Sequence, residues 1–238
     1  MRRVVVTFAV RAEFAPWRRL RGFKRVNQAG EPTYIAHWGS SEVYAVITGI
    51  GARSAHEQLR KLLSTPADAC IVSGLAGSLK QQHATGTTLV AKSVKRENAE
   101  TVIPSDEHLV EIATECGATP VDFFCTAEAV INSPSEKLRL GKTADAVEME
   151  SFHVMSEARE FGVPAVAVRS ISDPVDQIMP MDFNQVIDKN GEIGWIPALS
   201  QVAAAPGRLP QLMRFGFESS RAARKLAHFL DEYLTEVR

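Results

Sequence analysis

One stretch limits the choice of fold more than any other. Val163 to Val168 is a short apolar run that passes directly into Arg169-Ser170-Ile171-Ser172-Asp173-Pro174. A run of that length, apolar at successive positions, reads as a strand buried on both faces. Upstream, a short apolar run ending at Val147 leads into Glu148-Met149-Glu150-Ser151, and a helical pattern follows to about Phe161. Together these make a strand–helix–strand unit with its polar residues at the ends. In open α/β sheets ligands gather beyond the carboxyl ends of the strands. Glu150 and Asp173 are therefore expected to face one crevice, and that crevice is the candidate active site.

The rest of the chain repeats the alternation. Val4 to Ala9, Tyr34 to Trp38, Glu42 to Ile47, Ala69 to Val72, Thr87 to Val94 and Val121 to Thr126 read as strands. Helices are expected from Thr48-Gly49-Ile50-Gly51 to about Leu63, and from Ser105-Asp106-Glu107 to about Cys116. The predicted fold is one α/β domain over residues 1–238, with a mostly parallel mixed central sheet flanked by helices. Gly49-Ile50-Gly51 could hold an anion on free backbone N–H groups, and Ser73 to Leu79 reads as a second glycine-rich loop at a strand end. From about 176 to 217 the pattern weakens, as in a lid or binding loop. A final packing helix over about 219–237 carries an apolar stripe, with Ser219 as its cap.

Composition removes several function classes. A net charge of -1 gives no electrostatic footprint for a nucleic acid, and the early cluster Arg18, Arg19, Arg21, Lys24 and Arg25 lacks interleaved aromatics. It reads as a solvated helix face and loop. Cys70, Cys116 and Cys125 have no metal-ligand spacing and point to reduced thiols in a cytoplasmic protein. The apolar start after Arg2-Arg3 is too short and too quickly charged for a signal peptide, so a buried strand is expected there.

Taken in order, Ala9 to Glu13, Gly49-Ile50-Gly51, Ser73-Gly74-Leu75-Ala76-Gly77, Val147-Glu148-Met149-Glu150 and Val168 to Asp173 resemble the nucleoside phosphorylase and nucleosidase superfamily. The nearest likeness is to the 5′-methylthioadenosine/S-adenosylhomocysteine nucleosidases. The resemblance implies cleavage of a ribose–purine bond through a cationic, oxocarbenium-like sugar. It implies Asp173 as the acid serving the purine ring, kept protonated by burial, and Glu13 as the base activating water. Glu150 would bind the ribose hydroxyls and Met149 the sugar face, with Glu148, Val130, Ile131, Ala76 and Gly77 completing the substrate site. Taken alone, Glu148 reads as a salt-bridged structural residue in preference to a catalytic one, and Arg169 could pair with it or with Glu150.

The resemblance implies no metal or organic cofactor, with phosphate as a co-substrate if the reaction is phosphorolytic. Val72 and Leu75 replace residues expected of a phosphate site, leaving Arg11 and Arg53 as candidate phosphate ligands. Val130 stands where nucleosidases place an aromatic, for which Phe183 or Trp195 could compensate. The long segment after Asp176 is similar to that expected in adenosylhopane phosphorylases, the alternative reading. There the run from Leu209 to Phe217 would line a bulky 5′ substituent or touch a membrane surface, against simple packing. The resemblance implies a homo-oligomer, a dimer first, for a purine nucleoside enzyme; a non-catalytic nucleoside-binding protein is the rival of another class.

Overall fold

The computed structural model describes residues 2–28, 31–52, 56–97, 99–192 and 194–237. In chain order the elements are β1 (Arg3–Phe8), α1 (Arg11–Arg21), β2 (Lys24–Gln28), β3 (Glu31–Trp38), β4 (Ser41–Ile47), α2 (His56–Ser64), β5 (Ala69–Ser78), β6 (Thr88–Arg96) and β7 (Val102–Pro104). They continue with α3 (Glu107–Glu115), β8 (Thr119–Thr126), α4 (Pro134–Leu140), β9 (Ala146–Glu148), α5 (Ser151–Glu160), β10 (Ala165–Asp173), α6 (Trp195–Ala204) and α7 (Leu209–Glu236).

The sheet is mixed. β4, β1, β5 and β10 run parallel side by side, and β3 and β2 extend this edge by antiparallel pairing. From β10 the sheet turns through β6, β8 and β9 and returns to β5, so five strands close into a barrel. The apolar strands serve two cores because successive side chains point to opposite faces. Val4, Val6 and Phe8 of β1 and Val166 and Val168 of β10 meet α1, α3 and α7 on one face. Val5, Ala165 and Ala167 meet α2 and α5 on the other.

Aromatic packing fixes α1. Phe14 and Trp17 are buried on its inner side and sit 4.9 Å from Tyr34 and 4.7 Å from Phe23, ring centre to ring centre. The same helix carries Glu13 at its first turn. On its outer side Arg18 stacks over Tyr34, while Arg21 stacks over Trp38 and pairs with Asp231 of α7. The early basic cluster is thus partly a packing surface, and Lys24 and Arg25 lie in β2 instead of a loop.

Three further expectations change. β5 runs on to Ser78 through the stretch read as a glycine-rich loop, and β10 runs past Val168 to Asp173, so Gly74, Gly77, Arg169 and Asp173 sit on strands. Thr48 does not open a helix: Ile50–Ala52 forms one tight turn, and α2 is assigned from His56. The terminal helix is a single 28-residue element from Leu209, so Ser219 lies inside it and caps nothing. The segment ahead of it is ordered around α6, and Phe183 packs on Phe215 at 5.4 Å. Leu199, Met213 and Phe217 remain exposed on that side. Among the described residues, no helix is long and apolar enough to cross a membrane.

Candidate active site

The carboxyl ends of β5, β9 and β10 and the amino end of α1 enclose a cavity of about 200 Å³. Glu13, Ala76, Gly77, Val130, Ile131, Glu148, Met149, Glu150 and Asp173 all line it, so the structure brings these nine together. Arg11 does not join them; it is exposed on the first turn of α1, because the helix turns its first side chain outward. Arg53 lies outside the described residues.

One end of the cavity is built around Arg169, which is fully buried on β10. Its Nη2 donates to Glu148 Oε2 at 2.5 Å and Ser151 Oγ at 3.1 Å, and lies 3.2 Å from Glu150 Oε2. Glu148 is saturated. Its Oε2 also accepts from the backbone N–H groups of Glu150 and Ser151, capping α5, and its Oε1 accepts from Thr126 Oγ1 at 2.5 Å. It anchors the site and has little left to offer a ligand, which favours the ion-pair reading of this residue.

Glu150 is freer. Its Oε1 accepts from Gly51 N–H at 2.9 Å, so the anion on the Gly49-Ile50-Gly51 turn is a side chain of the same protein. Gly51 has φ of 73°, a conformation that costs glycine little. Burial pushes the Glu150 carboxyl up to about 7, against the pull of Arg169, and the negative charges of Glu148 and Glu13 push the same way.

Glu13 folds back over the start of its own helix. Its Oε2 accepts from Ala9 and Val10 N–H at 3.0 and 3.3 Å, and Oε1 accepts from Leu75 N–H at 2.9 Å. Read as an isolated residue, this would be a solvated acid at a helix start; the structure buries it instead. Burial raises its pKa, opposed by Arg169 and by these three backbone donors. β5 passes between Glu13 and Arg169 only because position 74 is glycine. A Cβ there would stand 2.3 Å from Arg169 Nη1 and 3.0 Å from Glu13 Oε2, at a φ of 150°.

Asp173 closes the other end. Ser172 Oγ donates to its Oδ1 at 2.5 Å, and Lys137 Nζ donates to its Oδ2. Asp173 is buried, as expected of the acid, and Lys137 lies against it in a buried salt bridge. No motif in the sequence singles out Lys137. Its only signal was a lysine at the centre of a short helix opened by Ser133-Pro134, where solvent exposure is the ordinary outcome.

Between the two ends the walls are apolar, from Ile50, Val130, Ile131, Val147, Met149 and Met179. Val130 is held by its backbone, donating to Asn184 Oδ1 at 2.7 Å and accepting from Asn184 Nδ2 at 3.0 Å. Phe183 does not replace the missing aromatic, since its ring is committed to Phe215. The side chain of Trp195 lies outside the described residues. No group of three His, Cys, Asp or Glu among the described residues is placed to hold a metal.

This barrel, with carboxylates converging at its strand ends, defines a class. The model of the phosphorylase superfamily matches residues 3–193, and the chain belongs to that family. Among its curated relatives is the 5′-methylthioadenosine/S-adenosylhomocysteine nucleosidase of Shewanella sp. (strain W3-18-1), 28% identical over 177 residues, or 63% of this chain and 76% of the relative. The Helicobacter pylori nucleosidase of the same name, solved with butyl-thio-DADMe-Immucillin-A, superposes with a TM-score of 0.76 at 20% identity, over 99% of both chains. A futalosine hydrolase mutant from Helicobacter pylori superposes with a TM-score of 0.73 at 20% identity, over 99% of this chain and 100% of its own. These superpositions establish the shared fold.

Proposed function

We propose that the protein hydrolyses the N-glycosidic bond of an adenosine-type purine nucleoside substituted at its 5′ side. One observation carries the reading: a single cavity holds two differently supported acidic centres at opposite ends of an apolar passage, Asp173 with Lys137 at one and Glu13 and Glu150 around Arg169 at the other. Breaking a ribose–purine bond needs a proton for the departing base and stabilisation of a cationic sugar. In this reading Asp173 serves the base and Glu150 accepts hydrogen bonds from the ribose hydroxyls. Met149 lies against the sugar, and Glu13 takes the proton of the attacking water. A carboxyl with a pKa raised by burial suits a general base.

The names of the relatives support the hydrolytic version. So does the charge of the cavity: among the described residues the only cation lining it is Lys137, already engaged by Asp173. Arg169 lies behind Glu148 and Glu150, so among the described residues no cation faces the cavity free for phosphate. Met179 brings the segment after β10 to the cavity, so that segment is where a 5′ substituent would extend. We place the protein in the cytoplasm, with its three unbridged cysteines, as a homodimer.

The test is release of free adenine from methylthioadenosine, S-adenosylhomocysteine and adenosine, with and without phosphate. The proposal expects release without phosphate and no gain on adding it. Release that requires phosphate would make the protein a phosphorylase. Binding without release would make it a nucleoside-binding protein.

A further inference from the structure

Lys137 demands an explanation. It is fully buried, yet it lines the cavity, its ammonium donating to Asp173 Oδ2 and, at 2.9 Å, to the carbonyl of Pro174. A buried ion pair is a poor device for stability alone, since apolar residues of similar volume usually do as well. The position of this pair, against the carboxylate assigned to the leaving base, points to chemistry.

We propose that Lys137 supplies the proton that Asp173 hands to the departing purine. The inference rests on the nucleosidase reading above. As the C1′–N9 electron pair withdraws into the base, a nitrogen of its five-membered ring takes a proton from Asp173. Asp173 takes one from Lys137 Nζ, leaving a neutral amine. Water attacking C1′ gives its proton to Glu13, and the amine regains a proton from solvent when the base leaves. No other reactant is needed. Lys137 acts through Asp173 and is a positioning residue in this scheme. The geometry is tightly held: the Pro174 carbonyl orients the ammonium, Ser172 Oγ orients the carboxylate, and Gly77 leaves room, because a Cβ there would stand 2.9 Å from Asp173 Oδ2.

The consequence is a pH range. A carboxyl alone donates only while it is protonated, whereas a lysine ammonium keeps its proton several pH units higher. Among the described residues, the other charged groups around the cavity are Glu13 on α1, Glu148 and Glu150 at the β9–α5 junction, and Arg169 on β10. They are common to wild type and variants, so their titration cancels in the ratio.

The experiment compares kcat/KM from pH 5 to 9 for adenine release and for a nitrophenyl riboside, whose leaving phenolate needs no proton. In Lys137→Met, adenine release should fall progressively relative to wild type as pH rises, approaching about tenfold per pH unit. Nitrophenyl riboside cleavage should stay within about threefold of wild type throughout. Lys137→Arg, which keeps the charge but not the transferable proton, should show the same loss. A pH-independent ratio, equal loss on both substrates, or recovery with arginine overturns the proposal. Wild type alone gives a readout should the variants not fold: its adenine rate, relative to the nitrophenyl rate, should hold to pH 8, and a tenfold fall per unit from pH 6 overturns it. Wild type inactive on both ribosides overturns the nucleosidase reading itself, whereas an active wild type with a flat variant ratio overturns only the role of Lys137.

Discussion

Glu150 ties stability to the site, and replacing it measures that link. Its carboxyl is raised from an ordinary 4.5 to about 7, chiefly by burial. The folded protein therefore holds this proton where the unfolded chain has released it. The stability so conferred is complete below pH 4.5 and is lost as pH rises through 7. Between pH 5 and pH 8, that shift corresponds to about 2–3 kcal/mol of lost stability. Glu150→Gln removes the titration while keeping the shape and the acceptor for Gly51 N–H, and Arg169 retains Glu148. Urea unfolding of both proteins at pH 5 and pH 8, at one protein concentration, should show the difference moving in favour of glutamine by about 2–3 kcal/mol. A difference that stays constant with pH, or moves toward glutamate, refutes the account of Glu150 as a carboxyl held up by burial.

Other expectations follow from the same geometry. Gly74→Ala puts a methyl group against Arg169 and the Glu13 carboxylate at a φ that alanine avoids, so turnover should fall at least about tenfold, with a lower melting temperature. Tyr233→Phe removes the hydroxyl that donates to the Leu109 carbonyl at 2.8 Å, costing about 1 kcal/mol in urea unfolding with no change in turnover. Trp17→Ala empties the aromatic seat of α1; it should cost about 3–5 kcal/mol and reduce turnover as Glu13 loses its support.

Much of this molecule was legible in the chain. Apolar strands such as Val4 to Phe8 and Ala165 to Val168 declare themselves because both faces of the sheet are covered. The site residues on β9 and β10 follow from where such strands end. What stayed hidden was tertiary. Gly74 and Gly77 look like loop residues, but they extend a strand whose outer positions are enclosed by α1 and the barrel. The unity of α7 was masked by Pro210 at its first turn and Gly216 within it, weak local signals overridden by the packing of its second half. β2 is too polar to read as a strand and exists through its pairing with β3. Lys137 was the largest omission, because no local pattern separates a lysine turned to solvent from one turned to a buried carboxylate 36 residues away.

The most direct test of the account is single-turnover release of adenine from methylthioadenosine by wild type, Asp173→Asn and Glu13→Gln in the absence of phosphate. Wild type should release the base, and each variant should bind the nucleoside yet lose at least about a hundredfold in rate. Variants that turn over as fast as wild type would remove these two carboxylates from the chemistry and contradict the central claim.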